Sequence, residues 1–451
     1  MSEELQLDIN LERDFLLKNS DDEDIKFNLE LKPNSDFFSY NNSIQSHIIL
    51  LLDSSSSMET SINKYNKYTK KDAVIDAAKG LIDNGLKPGD LVSVITYNSQ
   101  AVILNRGKEV SDNKDEIKSS INTIKDHTGG TNFEKAMIAA ENVSDNNNCH
   151  IIFLTDGQST RGDDNEALRI SEKLAEEGVT INALGIDNNS FNFMRSLTEP
   201  SNGYTESIKE NKREEIVNKV NQSFQEFSSK ASNSVIRNVF MDLKIPAGYR
   251  DLEIYQITPE MRNYQSKINE MNDGKRVISI NCGNLVLGHK NSYVLAMYVD
   301  TSSDDNILLS EVRISYSLPS QNRNNIIENR SVHLNLTDDE SQSKYNNFVT
   351  ELYQEAQFLK MYEDVKNCKD QDDIDGAIKR LQAMINKAEK LGKINIAEKY
   401  KKSLDKIKEN NNITTEELNA ISETITVSQE YGRGRVLVED SNVEDDAIGG
   451  V

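Results

Sequence analysis

The sequence of 451 residues is poor in cysteine, in long apolar runs and in positive charge. Its three cysteines, Cys149, Cys282 and Cys368, are far apart and odd in number. None stands in a C-x-x-C or other zinc-type spacing, so neither a disulfide framework nor a structural zinc module is expected. No apolar stretch approaches bilayer-spanning length, so no membrane span is expected. The N-terminus, MSEELQLDINLERD, is acidic and lacks the basic start and apolar run of a secretory signal. These absences together lead to the expectation of a cytoplasmic protein. Lysine and arginine number 52 against 74 aspartates and glutamates, a net charge of -22. Phosphate backbones and anionic membranes need a basic surface, so nucleic acid is not an expected partner. Cations and basic protein surfaces suit this charge better. Three enzymatic signatures are also missing: G-x-x-x-x-G-K-[ST], H-E-x-x-H and G-x-S-x-G.

What is present is a change of pattern along the chain. LQLDINL and IKFNLEL, within residues 1–43, alternate apolar and polar residues and read as half-buried strands. Residues 44–230 mix continuous apolar runs (HIILLLD, CHIIFLTDG, VTINALGI) with helical segments such as KKDAVIDAAKGLIDNGL and NFEKAMIAAENV. Strands alternating with helices predict an α/β domain, a doubly wound and mostly parallel sheet. Residues 231–335 switch to strands separated by turns and predict an antiparallel β-sandwich. An isolated hairpin is marginal, so the two N-terminal strands are expected to join that sandwich. The α/β domain is then inserted in it. Residues 336–430 are amphipathic and predict a C-terminal helical region, which resembles a tetratricopeptide-like hairpin without being a repeat array. Residues 431–451 are acidic and are expected to be a disordered tail.

Three places in the α/β domain carry oxygen donors at the ends of core segments. They are Asp53-Ser54-Ser55-Ser56-Ser57 after HIILLL, Thr131 after Gly129-Gly130, and Asp156 in LTDG after HIIF. In an open parallel sheet, ligands bind outside the carboxyl ends of the strands. Asp53, Ser55 and Ser57 are alternate residues, so a segment leaving a strand can aim them to one side. Hydroxyls and carboxylates form an all-oxygen shell that suits a hard dication, and two carboxylates balance its charge.

DSSSSM, TGGT and LTDG, in this order on alternating strands and helices, resemble the metal-ion-dependent adhesion site of a von Willebrand factor type A (VWA) domain. The resemblance covers roughly residues 44–230 and implies a Rossmann-like fold. More loosely, the β-rich and helical segments resemble those that accompany the domain in cytoplasmic microbial proteins. Matched residue by residue to the family pattern, the implied metal ligands are Asp53, Ser55, Ser57, Thr131 and Asp156. Ser56 stands where many members have glycine, a departure that touches loop shape and not the ligands. The implied cofactor is Mg2+, with Mn2+ or Ca2+ as alternatives. The implied function is a metal-dependent protein–protein interaction module, a scaffold or assembly factor whose partner offers a carboxylate to the metal. A hydrolase and a structural protein stiffened by its metal are the alternatives. No enzymatic activity is expected, because no nucleophile stands beside a histidine base.

Other features read more plainly. QDDIDGAIKRLQ lacks the carboxylates an EF-hand needs at its first and last positions, and reads as a helix N-terminus. His127, beside TGGT, reads as a surface or core histidine. The acidic tail, with Glu439, Asp440, Glu444, Asp445 and Asp446, reads as solubilising. Its competing role is to cover the metal with one of its own carboxylates.

Overall fold

The computed structural model describes residues 3–427 apart from residues 21–22, 39–44, 64–65, 146–147, 187–189, 210–212, 303–304, 340 and 342. The acidic tail, and with it both readings given above, lies outside the described residues.

Alternation at the start of the chain yields β1 (Leu5–Leu11), the short β2 (Phe15–Leu17) and β3 (Glu23–Pro33). The first continuous apolar run then forms β4 (His47–Asp53), in which all seven residues are buried, as a strand covered on both faces requires. After it come β5 (Ser61–Asn63), β6 (Asn66–Thr69), α1 (Lys70–Gly80), β7 (Leu91–Tyr97), β8 (Ala101–Glu109) and α2 (Val110–Asn122). The α/β part finishes with α3 (Phe133–Val143), β9 (Cys149–Thr155), α4 (Asp164–Glu176), β10 (Thr180–Ile186), α5 (Phe191–Thr198), β11 (Thr205–Ile208) and α6 (Arg213–Ser232).

Strand order in the central sheet is β11-β10-β9-β4-β7-β8, parallel throughout except for the edge strand β8, which is antiparallel to β7. Along β4 the side chains alternate. Ile48, Leu50 and Leu52 join a core with α1, α2 and α6, whereas Ile49 and Leu51 join one with α3, α4 and α5. The chain runs from β4 to β7 on one side and later returns to β9 on the other. The crevice beyond the ends of β4 and β9 is therefore the switch point where such sheets bind ligands.

Beyond the α/β part, β12 (Ser234–Ile245), β13 (Arg250–Thr258), β14 (Arg262–Asn263), β15 (Asn269–Glu270), β16 (Arg276–Val286), β17 (Asn291–Val299), β18 (Asn306–Leu318) and β19 (Arg323–Thr337) build two sheets. One has the order β1-β3-β17-β13-β14 and the other β15-β16-β12-β18-β19-β2. Their inner faces share one core, with Phe27, Leu29 and Leu295 from the first and Met241, Leu243 and Ile314 from the second. The N-terminal strands thus belong to the sandwich, and the α/β domain is an insertion between β3 and β12.

Four helices complete the described chain: α7 (Asn347–Asp370), α8 (Ile374–Lys390), α9 (Ile394–Asn410) and α10 (Thr415–Val427). Their apolar faces pack together and onto Tyr255, Ile257 and Val294 of the first sandwich sheet. Asp373 caps α8 by accepting a 2.8 Å hydrogen bond from the Gly376 amide. Asp375 lies in the first turn, so QDDIDG is the helix N-terminus that its acids suggest. At the far end Arg195 of α5 donates to Ser422 of α10 at 3.2 Å, so the helical region also touches the α/β domain. No helix among the described residues is long and apolar enough to cross a membrane.

Candidate metal centre at the switch point

Asp53 is the last residue of β4 and pairs in register with Tyr97 of β7. It is fully buried. One carboxylate oxygen accepts from the Ser55 amide and the other from the Thr155 hydroxyl, both at 2.8 Å. Burial pushes its pKa up to about 6, against the opposing hydrogen bonds from Ser55, and the charge of Asp156 adds to the rise. Two carboxylates are thus held close in a water-poor crevice, an arrangement that favours a cation between them.

The four serines are not equivalent. Ser54 is buried and gives both its amide and its hydroxyl to the Tyr97 carbonyl, at 2.7 and 3.0 Å. Ser55 precedes a short 3-10 turn, Ser56–Glu59, which is anchored by the buried Met58. The turn carries Ser57 back toward Ser55, so that their hydroxyls lie 3.0 Å apart. The Ser57 hydroxyl in turn donates to Asp156 at 2.6 Å. Ser56 faces solvent, and its amide donates to the Gly129 carbonyl at 2.9 Å, which docks the glycine loop on the serine turn.

Asp53, Ser55, Ser57 and Asp156 therefore form one connected group. Thr131 is buried on the docked loop, and its backbone is tied to the turn at residues 159–161. Its amide donates to the Thr160 hydroxyl at 2.9 Å, and its carbonyl accepts from the amides of Thr160 and Arg161 at 2.9 and 3.1 Å. Among the described residues its hydroxyl makes no hydrogen bond to the other four. The loop needs glycine for space, since a Cβ on Gly130 would lie 2.8 Å from the Thr160 hydroxyl. His127 contributes its carbonyl, which accepts from Lys71 at 2.6 Å.

Sequence reasoning missed two members of the site. Thr155 holds Asp53 from below, and its position just before Asp156 in LTDG was the available signal. Lys70, the first residue of α1, places its ammonium 3.1 Å from Asp156. Nothing in YTKKDA distinguishes that lysine from a solvated one. Its ammonium is a cation drawn to Asp156, and the hydroxyl and carboxylate donors fit a hard dication. A separate group of metal-capable side chains, His47, Asp145 and Cys149, lies at the opposite end of the same strands.

The doubly wound sheet and the D-x-S-x-S turn at its switch point define a von Willebrand factor type A domain. Residues 47–226 match the model of that family. Residues 47–226 thus form a domain of that family. Among solved structures it is similar over nearly its whole length to a von Willebrand factor type A protein from Catenulispora acidiphila. The TM-score there is 0.72 at 16% identity, covering 96% of this chain and 97% of that one. It is also similar to the ArnB paralog VWA2 from Sulfolobus acidocaldarius, with a TM-score of 0.52 at 14% identity, covering 94% and 98%. At these identities the likeness is one of fold. An uncharacterized protein of Synechocystis sp., sll0103, is 24% identical over 290 residues, which cover 62% of this chain and 64% of that relative. The match thus spans less than two thirds of the relative's length.

Proposed function

We propose that the α/β domain is a metal-dependent protein-interaction module whose adhesion site takes an acidic residue of a partner protein, and that the whole chain serves as a scaffold or assembly factor. The observation that carries this reading is the connected group of Asp53, Ser55, Ser57 and Asp156 at the switch point. These residues, with Thr131 from the docked loop, would hold the ion, and Mg2+ is the cation of choice for a small, hydroxyl-rich shell. The bound ion would supply a concentrated positive charge for an acidic partner side chain to meet on a chain of net charge -22. Thr155 and the Ser55 amide fix Asp53. The Gly129 carbonyl holds the serine turn. The exposed side of the site at Ser57 leaves room for the incoming carboxylate.

A binding role is favoured over hydrolysis by where the hydroxyls point. Ser57 donates to a carboxylate, a weak base toward serine, and among the described residues no imidazole is hydrogen-bonded to either serine. The sandwich and helices brace the domain and offer further surface. A cytoplasmic setting agrees with three free, buried thiols.

The test is partner capture from lysate by the full chain and by Asp53→Ala, each with Mg2+ or with EDTA. Proteins retained only by the unaltered chain with Mg2+ are the expected result. The same set captured in all four arms by folded protein would contradict the reading.

A further inference from the structure

The ends of β4 and β9 away from Asp53 also bring reactive side chains together. His47 opens β4 and Cys149 opens β9, and they are direct partners in the parallel ladder. Register neighbours on adjacent strands put their side chains on the same face. Asp145 follows α3 in the approach to β9. The donor atoms of His47, Asp145 and Cys149 all lie within 4.8 Å of one another. Donors bonded to one zinc ion at about 2.0–2.3 Å stand roughly 3–4 Å apart, so small side-chain adjustments close the shell.

A second observation points to an ion. The Nδ1 atom of His47 is buried and has no hydrogen-bond partner among the described residues. It faces the Asp145 carboxylate at 3.3 Å. The other ring nitrogen lies 2.9 Å from the Ser93 hydroxyl, which also accepts from the Gly107 amide at 2.8 Å. That contact orients the imidazole and leaves Nδ1 directed at the group, the outer-sphere support that ligating histidines commonly have. Asp145 and Cys149 border a cleft of about 510 Å³, a route for an ion and for a water as fourth ligand.

We propose that His47 Nδ1, the Asp145 carboxylate and Cys149 Sγ form a second metal site, for Zn2+ or another thiophilic dication, at the opposite edge of the sheet from Asp53. The mixed N, O and S donors select against Mg2+ and for Zn2+. A thiolate and a carboxylate neutralise one dication, so the shell, buried at His47 and Cys149, carries no net charge. Only the thiolate of Cys149 ligates, so the ion displaces its proton on binding and uptake releases acid. The seven residues of β4 put this site roughly 20 Å from the serine turn. Spacing rules do not find it because strand pairing, not a local motif, brings the ligands together.

Co2+ is the probe, because a thiolate ligand gives an intense near-ultraviolet charge-transfer band that an all-oxygen site cannot give. The full chain titrated with Co2+ is expected to develop this band, and Zn2+ to abolish it. Asp53→Ala keeps the band and Cys149→Ser loses it. Asp145 is 41% exposed, so Asp145→Asn is expected to fold. That variant weakens Co2+ binding by more than the roughly tenfold cost of losing an outer-sphere partner. No band from protein with an unchanged far-ultraviolet circular dichroism spectrum would overturn the proposal, as would a band that survives in Cys149→Ser.

Discussion

Asp53 carries the sharpest consequence at the scale of a single residue. Its pKa is raised from 3.8 to about 6, chiefly by burial. A carboxyl with a raised native pKa binds its proton more tightly in the folded chain than in the unfolded one. Its contribution favours the native state at low pH and is lost as pH rises through about 6. Ionised, and without a countercharge, it costs roughly 3 kcal/mol. In chelator, Asp53→Asn is expected to remove this slope and to gain stability on the parent chain between about pH 4 and pH 6, less what the amide loses in hydrogen bonds. Urea denaturation across that range checks it. A pH slope identical in the two proteins would contradict the assignment. The same scale separates the serines, since Ser54 is spent on the Tyr97 carbonyl while Ser55 and Ser57 lead to Asp156.

At the scale of an element, the start of α1 matters most. Thr69 and Asp72 form a reciprocal capping box that fixes the first turn. Lys70, the next residue, is thereby held where its ammonium meets Asp156 at 3.1 Å. Lys70 holds one Asp156 oxygen and the Ser57 hydroxyl the other, so this tethered cation repels a dication that binds beside it. Lys70→Met is therefore expected to tighten Mg2+ binding by about tenfold, equivalent to about 1.4 kcal/mol, while lowering the melting temperature in chelator. Calorimetric titration reads the first and a thermal melt the second. Weaker Mg2+ binding in the variant would show that Lys70 supports the site instead of competing for it.

Legibility from sequence also divides by element. HIILLLD and CHIIFLTDG announced buried strands because continuous apolar runs have few other uses. The site followed from oxygen donors at the ends of those strands. The β5–β6 hairpin was not foreseen, because its short segments SIN and NKYT are largely polar and do not alternate. Nor were α5 and β11, which follow β10 in segments too short for a clear period. Lys70 was invisible because a lysine at a helix start looks the same whether it faces water or a carboxylate.

At the scale of the whole molecule, a buried ion pair of the sandwich, Glu260–Arg262, hydrogen-bonds across to the α/β domain, where the Thr205 amide donates to Glu260. Arg262 of β14 is 1% exposed. It lies 3.3 Å from Glu260 and donates to the carbonyls of Glu199 and Gly203 in the α/β domain at 2.7 and 2.6 Å. Burial alone would lower its pKa, but Glu260 outweighs that and keeps it charged. Arg262→Met is expected to cost about 3–5 kcal/mol, because it leaves Glu260 buried without its partner. The double variant Glu260→Gln/Arg262→Met should recover much of the loss. Denaturant midpoints measure both, and a single variant within about 0.5 kcal/mol of the parent would show that the pair does not bind the domains together.

The central claim is that alternate serines after β4 hold a metal. Calorimetric titration of the metal-stripped full chain with Mg2+ tests it most directly, with Ser55→Ala, Ser57→Ala and Ser54→Ala in parallel. The account predicts Mg2+ binding by the parent chain, losses of about tenfold or more in Ser55→Ala and Ser57→Ala, and near-parent affinity in Ser54→Ala. Folded parent chain that binds no Mg2+, or three serine variants that bind it equally, would contradict it.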